Sequence, residues 1–117
     1  MRFVVSSAQL LKNLQKISGV ISTNTVLPIL EDFLFDIEKS KLSITATDLD
    51  TTMSVDMDVE SKEDFKVAIP ARILLDSLKA LPEQPITISV DETTNGIEIT
   101  TDNGKYKLSG ENSADFP

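Results

Sequence analysis

Residues 2–19 read RFVVSSAQLLKNLQKISG, and the fold is decided where the period of this stretch changes. Arg2-Phe3-Val4-Val5 is a short β-branched run that suits a strand. Ser6 or Ser7 then offers a side-chain oxygen to the free N–H groups of a following helix. From Ala8 to Ser18 the residues Leu10, Leu11, Leu14 and Ile17 recur at helical spacing, while Gln9, Lys12 and Lys16 fall on the opposite side of the wheel. Gly19 supplies a positive-φ residue to end the helix. The stretch predicts a strand feeding an amphipathic helix with one oily side and one cationic side.

The same plan returns at residues 65–81, FKVAIPARILLDSLKAL. Phe65, Val67 and Ile69 alternate up to Pro70. A helix over Ala71 to Leu81 then turns Leu74, Leu75, Leu78 and Leu81 inward and Arg72, Asp76 and Lys79 outward. Each helix is followed by three alternating segments. After the first come Phe33, Phe35 and Ile37; then Leu42, Ile44 and Ala46; then Met53, Val55, Met57 and Val59. After the second come Ile86, Ile88 and Val90; then Ile97 and Ile99; then Tyr106 and Leu108. Asn95-Gly96 and Asn103-Gly104 are hairpin turn signals between the last three. The order is β-α-β-β-β twice, from Met1 to Asp58 and from Asp64 to Ser109. This predicts an α+β domain with two helices side by side on one continuous antiparallel sheet.

Composition narrows the function classes. A chain of 117 residues suits one domain spanning residues 1–117, which removes roughly 65% of its unfolded surface from water. The 40% hydrophobic and 26% charged content is that of a globular protein. No run approaches the roughly 20 apolar residues that cross a bilayer, and Met1 to Lys12 lacks the apolar segment of a secretory signal, so a soluble cytoplasmic protein without membrane partners is expected. The sequence has no Cys and no His. Thiolate chemistry, Cys-type zinc sites and His-based triads are thereby excluded. Neither cofactor nor metal is expected, and the nearest carboxylate pair for acid–base work, Glu31 and Asp32, consists of adjacent residues that point apart.

Charge is distributed unevenly. The first helix holds Lys12 and Lys16 with no acid, and the second holds Arg72 and Lys79 against Asp76, so the helices sum to +3 and the remainder of a chain of net charge -8 carries -11. Two helices that are net positive in a strongly acidic chain are expected to show their face to a polyanion. So few charges give weak, salt-sensitive, sequence-independent attraction to phosphate.

Several ordered strings resemble the first domain of the bacterial DNA polymerase III beta subunits, the replication sliding clamps. They are Leu10-Leu11-Lys12, Ser18-Gly19, Leu27-Pro28-Ile29-Leu30, Thr45-Ala46-Thr47-Asp48-Leu49, Ile69-Pro70-Ala71-Arg72, Leu81-Pro82 and Ala114-Asp115-Phe116-Pro117. The resemblance implies a DNA-clamp fold and a homodimeric ring of head-to-tail copies, each with three such domains, surrounding duplex DNA. It also implies a non-catalytic processivity factor that engages DNA polymerase III and a clamp loader. Lys12, Lys16, Arg72 and Lys79 would face DNA. Asn24 stands where the family commonly has a basic residue, so a contact there is expected to be a hydrogen bond rather than an ion pair. The family's subunit junction would fall on the edge strand Lys105 to Ser109, with Lys105, Tyr106 and Leu108 at the contact and Ser77 and Leu81 of the second helix beside it. The family passes into a second domain after Asp115-Phe116-Pro117, so the chain is expected to be one domain of a longer protein, with barely measurable DNA affinity alone.

Two other readings stay open on the residues. One is a protein-interaction module that recruits a partner strand to an exposed sheet edge. The other is a carboxylate metal site made from Asp48, Asp50, Asp56 and Asp58, although these lack the spacing, Gly and terminal Glu of a calcium loop.

Overall fold

The computed structural model describes residues 1–21 and 27–117. Strand β1 (Arg2–Ser6) leads into helix α1 (Ser7–Ile17). A 3₁₀ turn, Ser18–Val20, follows, and a second one, Pro28–Glu31, precedes strands β2 (Asp32–Glu38), β3 (Lys41–Thr47), β4 (Thr52–Asp58) and the two-residue β5 (Glu60–Ser61). The second half runs β6 (Phe65–Pro70), α2 (Ala71–Lys79), β7 (Pro85–Val90), β8 (Gly96–Thr101) and β9 (Gly104–Ser109). The α+β class and the doubled β-α-β-β-β order are present.

The single continuous sheet is not. There are two antiparallel sheets, ordered β5-β1-β7-β8-β9 and β4-β3-β2-β6, and each contains the leading strand of the other half. β1 pairs with β7, and β6 pairs with β2. A strand that enters its own helix cannot also lie beside the strand leaving that helix unless the connection crosses over; exchanging leading strands keeps every pairing antiparallel.

The exchange is symmetric to the residue. Ser6 faces Pro85 and Phe3 faces Ile88 in one sheet; Pro70 faces Asp32 and Val67 faces Phe35 in the other. Past each meander the chain crosses back to cover the free side of the leading strand. Glu60 pairs with Val4 in one half, and Glu111 pairs with Ala68 in the other. Both crossings are fixed by a backbone bond of 3.0 Å, Val59 N–H to Ser40 O and Gly110 N–H to Asn95 O, and both acceptors have φ of 61°. The halves thus repeat as a hydrogen-bonding scheme although their letters differ.

One apolar cluster joins both sheets and both helices. Phe3 of β1 lies 6.2 Å from Phe35 of β2 and 6.0 Å from Phe65 of β6, ring centre to ring centre, so aromatic contacts bridge the two sheets. Leu10, Leu14 and Ile17 of α1 and Leu74 and Leu78 of α2 are buried in it, and Leu11, Leu75 and Leu81 pack against its margin.

Local chemistry sets the helix bounds. Ser6 is the cap of α1, its Oγ accepting from the N–H of Gln9 at 3.4 Å. Ser7 is buried, and its hydroxyl donates to the Pro82 carbonyl while accepting from the Gln84 N–H, both at 3.1 Å. Ser7→Ala strands that buried N–H; a loss of about 1–3 kcal/mol is expected, read from the urea midpoint at constant m. Gly19 does not take positive φ, because the helix tightens into the 3₁₀ turn and needs no left-handed residue there. α2 ends at Lys79, two residues before the expected Leu81. Met53, expected inward, is 41% exposed on β4, the edge strand of its sheet among the described residues.

Candidate nucleic-acid interface and sheet edge

α1 and α2 pack against one another. Lys12 and Lys16 are four residues apart on α1, and Arg72 and Lys79 are seven apart on α2, so each pair shares a side of its helix. All four are exposed. Among the described residues none of the four forms an ion pair. Arg72 and Lys79 line a groove with Ser18, Ile21, Leu75 and Asp76, which joins the end of α1 to the flank of α2. Lys16 and Lys79 each stand in the last turn of a helix, where the carbonyl ends favour a cation. That fixed field explains why a lysine is tolerated at each place; it does not use up the charge.

The strands treat their cations differently. Lys66 lies 3.8 Å from Asp36, and Lys105 lies 3.5 Å from Glu98 on the neighbouring strand. Arg2, Ser89, Glu98 and Lys107 form one cross-strand row over the five-stranded sheet. The sheets therefore carry interspersed charges of both signs, an acidic surplus with local compensation rather than a uniformly negative layer.

β9 is the free edge of the five-stranded sheet. Lys105 and Lys107 are exposed on it, and Tyr106 keeps 38% of its surface in solvent. Leu108 does not face outward; at 9% exposure it belongs to this chain's own core, opposite Ile97. Ser77 and Leu81 are half-buried on the side of the second helical segment. Ile73, one turn before Ser77, is 52% exposed and continues that stripe. The sequence does not reveal its place there, because an isoleucine at an outward position reads as a breach of the amphipathic pattern rather than as part of a second one. Asn24 lies outside the described residues.

The acidic residues separate. Asp48 spends one carboxylate oxygen on its own turn, accepting from the N–H of Asp50 at 3.0 Å and of Thr51 at 2.7 Å. Asp56 and Asp58 lie along β4 opposite Ser43 and Lys41. Among the described residues no group of three His, Cys, Asp or Glu side chains is disposed to hold a metal ion. Asp91 also accepts from the backbone of its own turn, and there the N–H groups of Thr94 and Thr93 hold the Asp91 carboxyl below the usual range.

The family description "DNA polymerase III beta subunit, N-terminal domain" matches residues 1–117, the whole chain. This chain belongs to that family. The beta sliding clamp of Vibrio cholerae is 31% identical over all of this chain, and that of Escherichia coli K12 is 33% identical; the match covers 32% of either protein. Among solved structures, the DNA polymerase sliding clamp of Pseudomonas aeruginosa superposes with a TM-score of 0.91 at 33% identity, and the sliding clamp of Bartonella birtlesii with 0.93 at 30% identity. Both cover the whole of this chain and about a third of their own. The chain spans about a third of the length of these relatives. Membership in the beta subunit family accounts for the two helices on two antiparallel sheets. No helix among the described residues is long and apolar enough to cross a membrane.

Proposed function

We propose that this chain is the first domain of a DNA sliding clamp, a cytoplasmic, non-catalytic processivity factor whose ring-shaped homodimer holds duplex DNA against its helices. The supporting observation is that four exposed cations, free of ion pairs among the described residues, occupy two adjacent helices of a protein with net charge -8. Lys12, Lys16, Arg72 and Lys79 attract phosphate without reading bases, and Asn24 adds a neutral donor. Four contacts are too few to grip DNA. Even if each released a counterion, affinity would fall about a hundredfold between 50 and 200 mM salt, which suits a ring that slides and is retained by closure.

The same reading gives the open β9 edge a second copy as its neighbour. Tyr106 supplies apolar contact, Lys105 supplies charge after exchanging Glu98 for a partner's acid, and Ser77 and Leu81 flank the junction. Leu108 supports the strand from beneath. Covering this edge also removes an invitation to aggregate. DNA polymerase III and the clamp loader are the partners proposed for the assembled protein.

Topological retention is tested with a chain of the relatives' full length loaded on closed circular DNA. Cutting the circle should release the protein within its sliding time, and retention on linear DNA with open ends would overturn the reading. A protein-interaction module working through β9 alone predicts instead binding that survives high salt and depends on Tyr106 rather than on the helix cations.

A further inference from the structure

Asp32 opens β2 with 4% of its surface exposed, and its Oδ2 has no hydrogen-bond partner among the described residues. Its cross-strand neighbour is Pro70, which has no N–H to offer. What approaches instead is a second carboxyl. Gly110 and Glu111 cross β6 after the end of β9, with the Glu111 N–H donating to Ala68 O at 2.8 Å and the Ala68 N–H donating to Glu111 O at 3.1 Å. A Cβ on Gly110 would collide with the Asn95 carbonyl oxygen, so the crossing is too close for any side chain at this position. Asn112 then caps a 3₁₀ turn, Ser113–Asp115, its Oδ1 accepting from Ala114 N–H at 2.9 Å.

Two carboxylates have no donor between them, so they bond only when they share a proton. The internal repeat shows that the fold itself does not require this. The place of Asp32 is taken in the other half by Pro85, facing Ser6, and the place of Glu111 by Glu60, facing Val4. One half closes its crossing with a proline beside a glutamate, the other with two acids.

We propose that residues 110–116 form a proton-dependent strap, held on β6 while Asp32 and Glu111 share a proton and loosened when the pair ionises. The groups facing Asp32 are Glu111 from the strap and Glu31 from the preceding turn, both acidic; β6 contributes Ala68 and Pro70, neither ionisable, and Glu31 in turn shares a groove with Arg72, Asp76 and Lys79 of α2. Burial first, then the Glu111 charge and hydrogen bond, then Glu31, push the Asp32 carboxyl up from 3.8 to about 7. The folded state therefore favours the protonated form. Its contribution is complete below about pH 4, declines as pH rises towards 7, and is gone above that. The strap covers the strand that runs directly into α2, so its release uncovers the Ala68 edge beside the cationic helix.

Amide hydrogen exchange of Ala68 and Glu111, each rate divided by its unstructured value, tests this in the 117-residue chain. Between pH 5.5 and 8.5 protection should fall by about tenfold or more, with β8 amides unchanged. Asp32→Asn should hold protection constant across that range. Glu111→Gln, which keeps shape and supplies a donor, should lower the carboxyl titration of Asp32 from its wild-type value and also hold protection constant. A wild-type Asp32 that titrates below pH 5, or a decline equally steep in wild type and in either variant, would overturn the strap.

Discussion

Changing Lys12, Lys16, Arg72 and Lys79 together to Glu, in a chain of the relatives' full length, is expected to shorten residence on circular DNA by at least about a hundredfold, with the fold preserved. Each replacement alters charge by two, so the helical face turns from attractive to repulsive. The loss should exceed that of simple neutralisation. Four neutralised contacts correspond to a salt slope of about -3.6, and a Gln set should flatten the salt dependence by that amount per domain. The Glu set adds repulsion between a ring of acids and the duplex it encloses. Stability should change far less. All four side chains are exposed and free of ion pairs among the described residues, so the cost is the lost complement to the helix ends at Lys16 and Lys79, about 0.3–1 kcal/mol each. Unchanged residence in the Glu set, with a normal urea midpoint, would remove these four residues from the DNA-facing role.

The elements were legible because period reports burial. Leu10, Leu14 and Ile17, or Leu74 and Leu78, identify a helix face without any knowledge of what covers it, and Phe33, Phe35 and Ile37 do the same for a strand. Partners are another matter. Nothing in the alternation of Phe3 and Val5 says that β1 lies beside β7, more than 80 residues away, because either sheet offers the same apolar face to the pair. The two-sheet exchange is a long-range pairing choice and leaves no local trace. Gly19 misled for a related reason: glycine permits positive φ but does not require it, and the 3₁₀ turn that follows uses ordinary dihedrals.

The site divides along the same line. The helix cations could be read from the wheel, since surface position follows from period. Asp32 could not be, because its burial is produced by the later crossing of Gly110 and Glu111, and an acid next to Glu31 looks like a solvated turn. Leu108 and Tyr106 read identically as alternating edge residues. Each lies opposite a buried isoleucine of β8, Ile97 or Ile99, and only the burial in the folded chain separates them, with Leu108 9% and Tyr106 38% exposed.

Phe35→Ala is expected to be the most damaging single truncation, costing about 3–5 kcal/mol and leaving the domain largely unfolded well below the wild-type midpoint. The ring is fully buried on β2, flanked by Ile44 and Val67 across its strands and by Phe3 from the other sheet. β2 has neighbours on both sides, so the backbone cannot move in to fill the void. Domains of this size have a total stability of about 5–15 kcal/mol, so the loss takes a large part of the whole. Phe35→Leu should cost about 1–2 kcal/mol, and a double-mutant cycle with Phe3→Leu should show coupling of about 0.5–1.5 kcal/mol from the aromatic contact. The distinctive expectation concerns distance. Because each sheet contains the other half's leading strand, neither can open alone, and exchange of β8 amides should accelerate as much as exchange of β3 amides in Phe35→Ala. Loss of protection confined to the four-stranded sheet would mean that the two halves unfold separately, and that the exchanged strands do not weld them into one cooperative unit.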